Sequence, residues 1–174
     1  IRKINVEGTK NVCEASIDAN VKKLIHQGYK VRCIDFDRDY RAFENLDIEL
    51  VKADITDKSS LKPAFKDVEI VFHTAAFISL DKRYKNQIRK INVEGTRNVC
   101  EASVDANIKK LVHFSSIDAF QREPMDEPLY ESRSLVSDPK SIPYDLSKAD
   151  GQRIVLDFTK NYLDASIIHP TSIM

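Results

Sequence analysis

The sequence predicts a doubly wound α/β domain, a parallel sheet with helices on both faces, and three observations predict it. Short runs rich in β-branched residues recur along the chain and read as strands. Between them lie segments whose apolar residues return every three or four positions, as on one face of a helix. The rhythm breaks once, from Gln121 to Pro143, where Pro124, Pro128, Pro139 and Pro143 stand among mixed charges. A long loop of that kind over the carboxyl edge of a parallel sheet usually belongs to the site.

The first element is a repeat. Residues 1–26 are a near-copy of residues 88–113; only the pairs Lys10/Arg97, Ile17/Val104, Val21/Ile108 and Ile25/Val112 differ. Two copies at this separation are not a solenoid. Ile4, Gly8, Val12, Ala15 and Ala19 repeat a helical apolar face, so a helix is expected from Lys3 to Asn20. Val21 to His26 are also expected to be helical, stopping at Gln27-Gly28, although their twin, Ile108 to His113, leads into a strand. Strands are then read at Val31–Asp35, Ile48–Asp54, Ile70–His73, Leu111–Ser115 and Ala165–His169. Ile88, Ile91, Gly95, Val99, Ala102 and Ala106 form one helix face whose small members permit close approach to a sheet, and a second long helix is expected from Tyr144 to Tyr162.

Composition excludes several classes. The 174 residues, 42% hydrophobic and 31% charged, suit one globular domain with a real core. Lys+Arg and Asp+Glu are both 27, which leaves no basic surplus for nucleic acid or an anionic membrane surface. Apolar runs such as Ile70-Val71-Phe72 fall far short of the roughly 20 residues of a membrane span, and Ile1-Arg2-Lys3-Ile4 opens no secretory leader. A cytoplasmic protein with a small-molecule substrate is the expectation. Cys13, Cys33 and Cys100 form no C-x-x-C pair and read as buried thiols. His26, His73, His113 and His169 have no ligand spacing, so no metal is expected. Asp126, Glu127 and Glu131 read as a solvated face.

The chemistry is concentrated in Tyr144-Asp145-Leu146-Ser147-Lys148. A Tyr and a Lys four apart share a helix face, and an ammonium beside a phenol lowers its pKa toward the working range of a proton donor. Alone, the spacing is weak and reads first as a solvated surface pair. Its company changes that: Phe114-Ser115-Ser116 ends a strand upstream and His169-Pro170-Thr171 ends another downstream. With Asp35, Asp54-Ile55, His73-Thr74-Ala75-Ala76 and Asn92-Val93-Glu94-Gly95-Thr96, these resemble the extended short-chain dehydrogenase/reductase family of NAD(P)-dependent epimerases, dehydratases and reductases. Within it, Phe114–Ala119 and Tyr144–Ala149 look most like the dihydroflavonol reductases and 3β-hydroxysteroid dehydrogenases.

The resemblance implies Tyr144 as general acid/base, Lys148 as its partner and a ribose donor, and Ser116 as hydrogen-bond donor to the reacting oxygen. It makes Asp35, Asp54, Ile55, Ala75, Ala76, Lys148 and Pro170 cofactor contacts. Asp35 favours NAD, while Arg38 leaves NADP open. It also exposes departures. The family's Gly-rich turn is missing, since the four glycines, Gly8, Gly28, Gly95 and Gly151, lack the fingerprint spacing. Ala119-Phe120-Gln121 stands where the family commonly has Val-Tyr-Gly. The chain is therefore expected to be a single, incomplete domain: a duplicated helical segment over residues 1–26, a family-like core over 27–174, no usual first strand or Gly-rich turn, and no carboxyl-terminal substrate region. Without a first strand, exposed strand edges would favour a homodimer or swapped oligomer. The rival reading is a non-catalytic binding or self-association module that keeps Ser116, Tyr144 and Lys148 by inheritance.

Overall fold

The computed structural model describes residues 3–7, 21–35 and 46–171. Six parallel strands form one sheet: β1 (Lys3–Glu7), β2 (Lys30–Asp35), β3 (Ile48–Lys52), β4 (Ile70–His73), β5 (Lys110–Phe114) and β6 (Ala165–Ile168), in the order β3-β2-β1-β4-β5-β6. The helices are α1 (residues 21–26), α2 (Lys58–Phe65), α3 (Lys85–Arg89), α4 (Thr96–Asp105) and α5 (Pro143–Thr159), with a π-helical stretch at Lys90–Gly95 joining α3 to α4. This is the expected doubly wound class. The order reverses between β1 and β4, the point at which such sheets bind ligands beyond the carboxyl ends of their strands.

One expectation is corrected. The sheet does not lack its first strand, and residues 3–7 are not helical. Lys3–Glu7 pairs with β2 from Lys3↔Lys30 to Glu7↔Ile34 and with β4 from Ile4↔Ile70 to Glu7↔His73. The physical reason lies with the neighbours. An empty central position would leave the facing N–H and C=O groups of β2 and β4 without partners, and only an extended segment satisfies both at once. Ile4 and Val6 are β-branched and suit a strand. The exposed strand edges on which the swapped oligomer rested are therefore covered. The rest of the expected helix, residues 8–20, lies outside the described residues. Residues 21–26 are helical as expected and end at Gly28, whose φ of 81° is the left-handed helix stop.

The two copies thus fold oppositely. Lys3-Ile4-Asn5-Val6-Glu7 is a strand, and the identical Lys90-Ile91-Asn92-Val93-Glu94 is π-helical. Val21–His26 is helix, whereas Ile108–His113 runs from a turn into β5.

Packing follows the alternation of the strands. On one face, Val31 and Cys33 of β2 meet Val21 of α1, with Leu24, Ile25 and Tyr29 around them. On the other, Leu61, Ala64 and Phe65 of α2 join Val71, Val99, Leu111 and Val155 in the main core. Arg32 is buried on β2: it donates to both carboxylate oxygens of Glu49 at 2.9 and 3.0 Å and to the carbonyls of Ala64 and Lys66 at 2.6 and 2.9 Å. A cation thereby closes the carboxyl end of α2. Gly151 lets α5 lie against the π-helical stretch; a Cβ there would stand 2.8 Å from the Asn92 carbonyl.

Candidate active site

The site collects at the carboxyl edge because the chain leaves each parallel strand on that side. Asp54-Ile55 follow β3, Ala75-Ala76 follow β4, Ser115-Ser116 follow β5 and His169-Pro170 follow β6. Ile117 N donates to Pro170 O at 3.3 Å, which ties the last two of these turns together. Asp35 ends β2 in register with Lys52; its side chain and Arg38 lie outside the described residues.

Ser116 caps a short 3-10 turn, Ile117–Ala119. Its hydroxyl accepts from Asp118 N at 3.1 Å and donates to Asp118 Oδ2 at 3.2 Å. Tyr144 enters on the first turn of α5, where Pro143 fixes the helical φ in advance. Burial pushes the Tyr144 phenol up from its ordinary value; the Asp118 charge and then Asp145 add to the rise, and a side-chain hydrogen bond with Ser116 opposes it. Lys148, one turn on, is 6% exposed, and its Nζ donates to Phe114 O at 2.7 Å. Burial alone lowers its pKa to about 8. Ser116 and Tyr144 therefore meet, and Lys148 reaches the end of the same strand, β5. The expected electrostatics differ: the ammonium is turned to the strand carbonyl, and the phenol's pKa is raised rather than lowered.

Asn92 is a central residue to which the sequence motif assigned no role. Its Oδ1 accepts from Phe77 N at 2.7 Å, and its Nδ2 donates to Phe77 O at 3.0 Å and to Ser147 Oγ at 2.9 Å. Ser147 Oγ in turn donates to Tyr144 O at 2.7 Å. One buried amide thus joins the Ala75-Ala76-Phe77 segment to the first turn of α5. A polar residue in the middle of an apolar helix face was the available sign. Below the site, the Thr96 hydroxyl donates to Asn92 O at 2.7 Å and lies 3.0 Å from His73 Nε2, while Gln152 Oε1 accepts from Ser115 Oγ at 2.7 Å and lies 3.0 Å from His169 Nε2.

Other predicted residues keep narrower roles. Asp54 Oδ1 accepts from Thr56 N at 2.8 Å, and Ile55 packs in the main core with its carbonyl held by Asn98 Nδ2 at 2.8 Å. Ala75 and Ala76 are small and buried. Thr74 Oγ1, buried beside them, has no hydrogen-bond partner among the described residues, an orphan that a bound polar group would satisfy. The chemistry of the donor set therefore fits the nicotinamide half of NAD: small residues after β4, an unpaired hydroxyl, and a cation with a hydroxyl pair. Among the described residues no cluster of His, Cys, Asp or Glu could hold a metal ion, and no helix is long and apolar enough to cross a membrane.

Comparison with known proteins identifies the family. The chain is 36% identical over 146 residues to a putative UDP-glucose 4-epimerase of Methanocaldococcus jannaschii, covering 82% of this chain and 47% of that one. It is 29% identical over 155 residues to sterol demethylase protein B of Methylococcus capsulatus, covering 88% of this chain and 47% of the relative. The chain thus spans about half the length of these relatives. A short-chain dehydrogenase/reductase superfamily structure from Agrobacterium tumefaciens with bound NAD superposes with a TM-score of 0.77 at 26% identity, over 97% of this chain and 48% of that one. The profile of the NAD dependent epimerase/dehydratase family matches residues 19–174, and the chain belongs to that family.

Proposed function

We propose that this chain is the NAD-binding, proton-transferring domain of an oxidoreductase or epimerase acting on a secondary alcohol or ketone. The observation that carries the reading is the hydrogen bond between Ser116 and Tyr144 at the carboxyl end of β5, with Lys148 on the Phe114 carbonyl of the same strand and an unpaired hydroxyl at the end of β4. NAD bound there supplies hydride acceptance or donation. Tyr144 holds the proton that a substrate oxygen receives, and its raised pKa keeps it loaded at neutral pH. Ser116 turns its hydroxyl from Asp118 to the same oxygen and stabilises the charge that develops there. Lys148 donates one N–H to Phe114 O and keeps its others for the nicotinamide ribose. Asp35, Asp54 and Ile55 take the adenosine end, Ala75 and Ala76 allow close approach, and Pro170 closes the far side.

The test is isotopic. Incubation with NADH deuterated at C4 and a panel of neutral ketones is expected to place deuterium on the carbinol carbon of at least one alcohol, read by mass spectrometry. Deuterium in none of them would contradict the reading. A second reading, a non-catalytic binding module, is favoured by one observation only: none of the four glycines makes the fingerprint that holds a pyrophosphate. On that reading NADH neither binds nor reacts.

A further inference from the structure

We propose that Asp118 determines specificity at the Ser116–Tyr144 site: it admits an uncharged substrate bearing a hydroxyl on the carbon next to the reacting one, and it turns away a substrate with a carboxylate there. This rests on the reading above and names the substrate class for the same site. The geometry has three parts. The turn Ile117–Ala119 folds Asp118 back over Ser116, so that Asp118 N and Asp118 Oδ2 both lie on the Ser116 hydroxyl, at 3.1 and 3.2 Å. The carboxylate thereby stands beside the place where a substrate oxygen must meet Ser116 and Tyr144. It also keeps acceptor capacity for a ligand, since its side chain is 40% exposed and its other oxygen has only a loose approach, 3.7 Å, to Arg122 Nη2.

The charges around it reinforce the choice. Arg122 is shared with Asp145, at 3.2 Å, and the Asp145 side chain is 8% exposed. One guanidinium thus faces two carboxylates, which leaves this cluster with one negative charge in excess. Lys148 does not offset it outward, because its ammonium is committed inward to Phe114 O. A substrate hydroxyl donates to Asp118 and releases Ser116 to serve the reacting oxygen, whereas a second anion beside Asp118 meets like charge in a half-buried site. That difference amounts to about tenfold or more in apparent affinity, the scale of one charge-assisted hydrogen bond gained against one repulsive contact.

The experiment uses the full chain with saturating NAD and 13C-labelled tyrosine rings, the Tyr144 resonance being the one lost in Tyr144→Phe. The probes are hydroxyacetone and pyruvate. Hydroxyacetone is expected to move the Tyr144 resonance at a concentration about tenfold or more below that needed for pyruvate, and Asp118→Asn is expected to bring the two within about twofold. Asp118→Glu should restore the preference. Asp118→Ser, which keeps an acceptor without the charge, should lose it and covers the case in which Asn disturbs the turn. Equal responses to both probes in the parent, no response to either, or an unchanged ratio in Asp118→Asn and Asp118→Ser would overturn the proposal. If the ratios behave as expected while no probe ever oxidises NADH, the specificity stands and hydride transfer is the part that fails.

Discussion

Lys148 is 6% exposed with a main-chain carbonyl as its hydrogen-bond partner, so the folded chain carries an ammonium at a cost in stability. Its pKa falls from 10.5 to about 8. Between those two values the unfolded chain holds more protons than the folded one, so this residue's contribution makes stability rise with pH through that window; below pH 8 the whole cost is present. Lys148→Met is therefore expected to stabilise the protein at pH 7 by up to about 3 kcal/mol, with the gain fading toward pH 10.5, while turnover is lost. Urea unfolding at pH 7 and pH 10 checks this; a variant less stable than the parent at pH 7 would mean that the ammonium has compensating partners. The sequence named Ser116, Tyr144 and Lys148 because their spacing and their positions at strand and helix ends are local properties. It did not reveal that Asp118 sits on Ser116 or that Asn92 holds Ser147, because both contacts depend on a turn and a helix folding back onto distant residues.

At the scale of elements, Lys-Ile-Asn-Val-Glu occurs twice and folds twice, as β1 and as the π-helical stretch. Local preference cannot decide between identical segments. Two open strand edges decide for the first, and Asn92, Thr96 and Gly151 packing beneath the site decides for the second. Carbon chemical shifts should therefore be strand-like at Ile4–Val6 and helical at Ile91–Val93; helical shifts at both would refute the assignment of β1. The same reasoning explains why the five later strands and both long helices were legible while the first strand was not: periodicity read residues 1–26 through their helical twin. Gly151→Ala tests the seat of α5. The added Cβ would stand 2.8 Å from a backbone oxygen that cannot swing away, so a loss of about 1–3 kcal/mol is expected from denaturant midpoints. A neutral or stabilising effect would mean that α5 sits further from Asn92.

At the scale of the whole molecule, the order β3-β2-β1-β4-β5-β6 puts the ends of β1 and β4 at the reversal point and gathers the strand-end motifs on one edge. The family and the sheet edge were readable from ordered motifs. How the chain meets a pyrophosphate was not, because no glycine fingerprint stands anywhere along it. Adenosine and nicotinamide contacts without that turn should hold NADH weakly, with Kd above about 100 μM by fluorescence titration. A low-micromolar Kd would show that another segment cradles the phosphates.

Proton delivery by Tyr144 is tested by comparing Tyr144→Phe with the parent. NADH-dependent turnover of a responsive ketone is measured as kcat/KM at equal cofactor occupancy, beside NADH affinity. A loss of about 10²- to 10⁴-fold in kcat/KM is expected, with NADH affinity nearly unchanged. A Tyr144→Phe protein that keeps its turnover within about tenfold of the parent would contradict it.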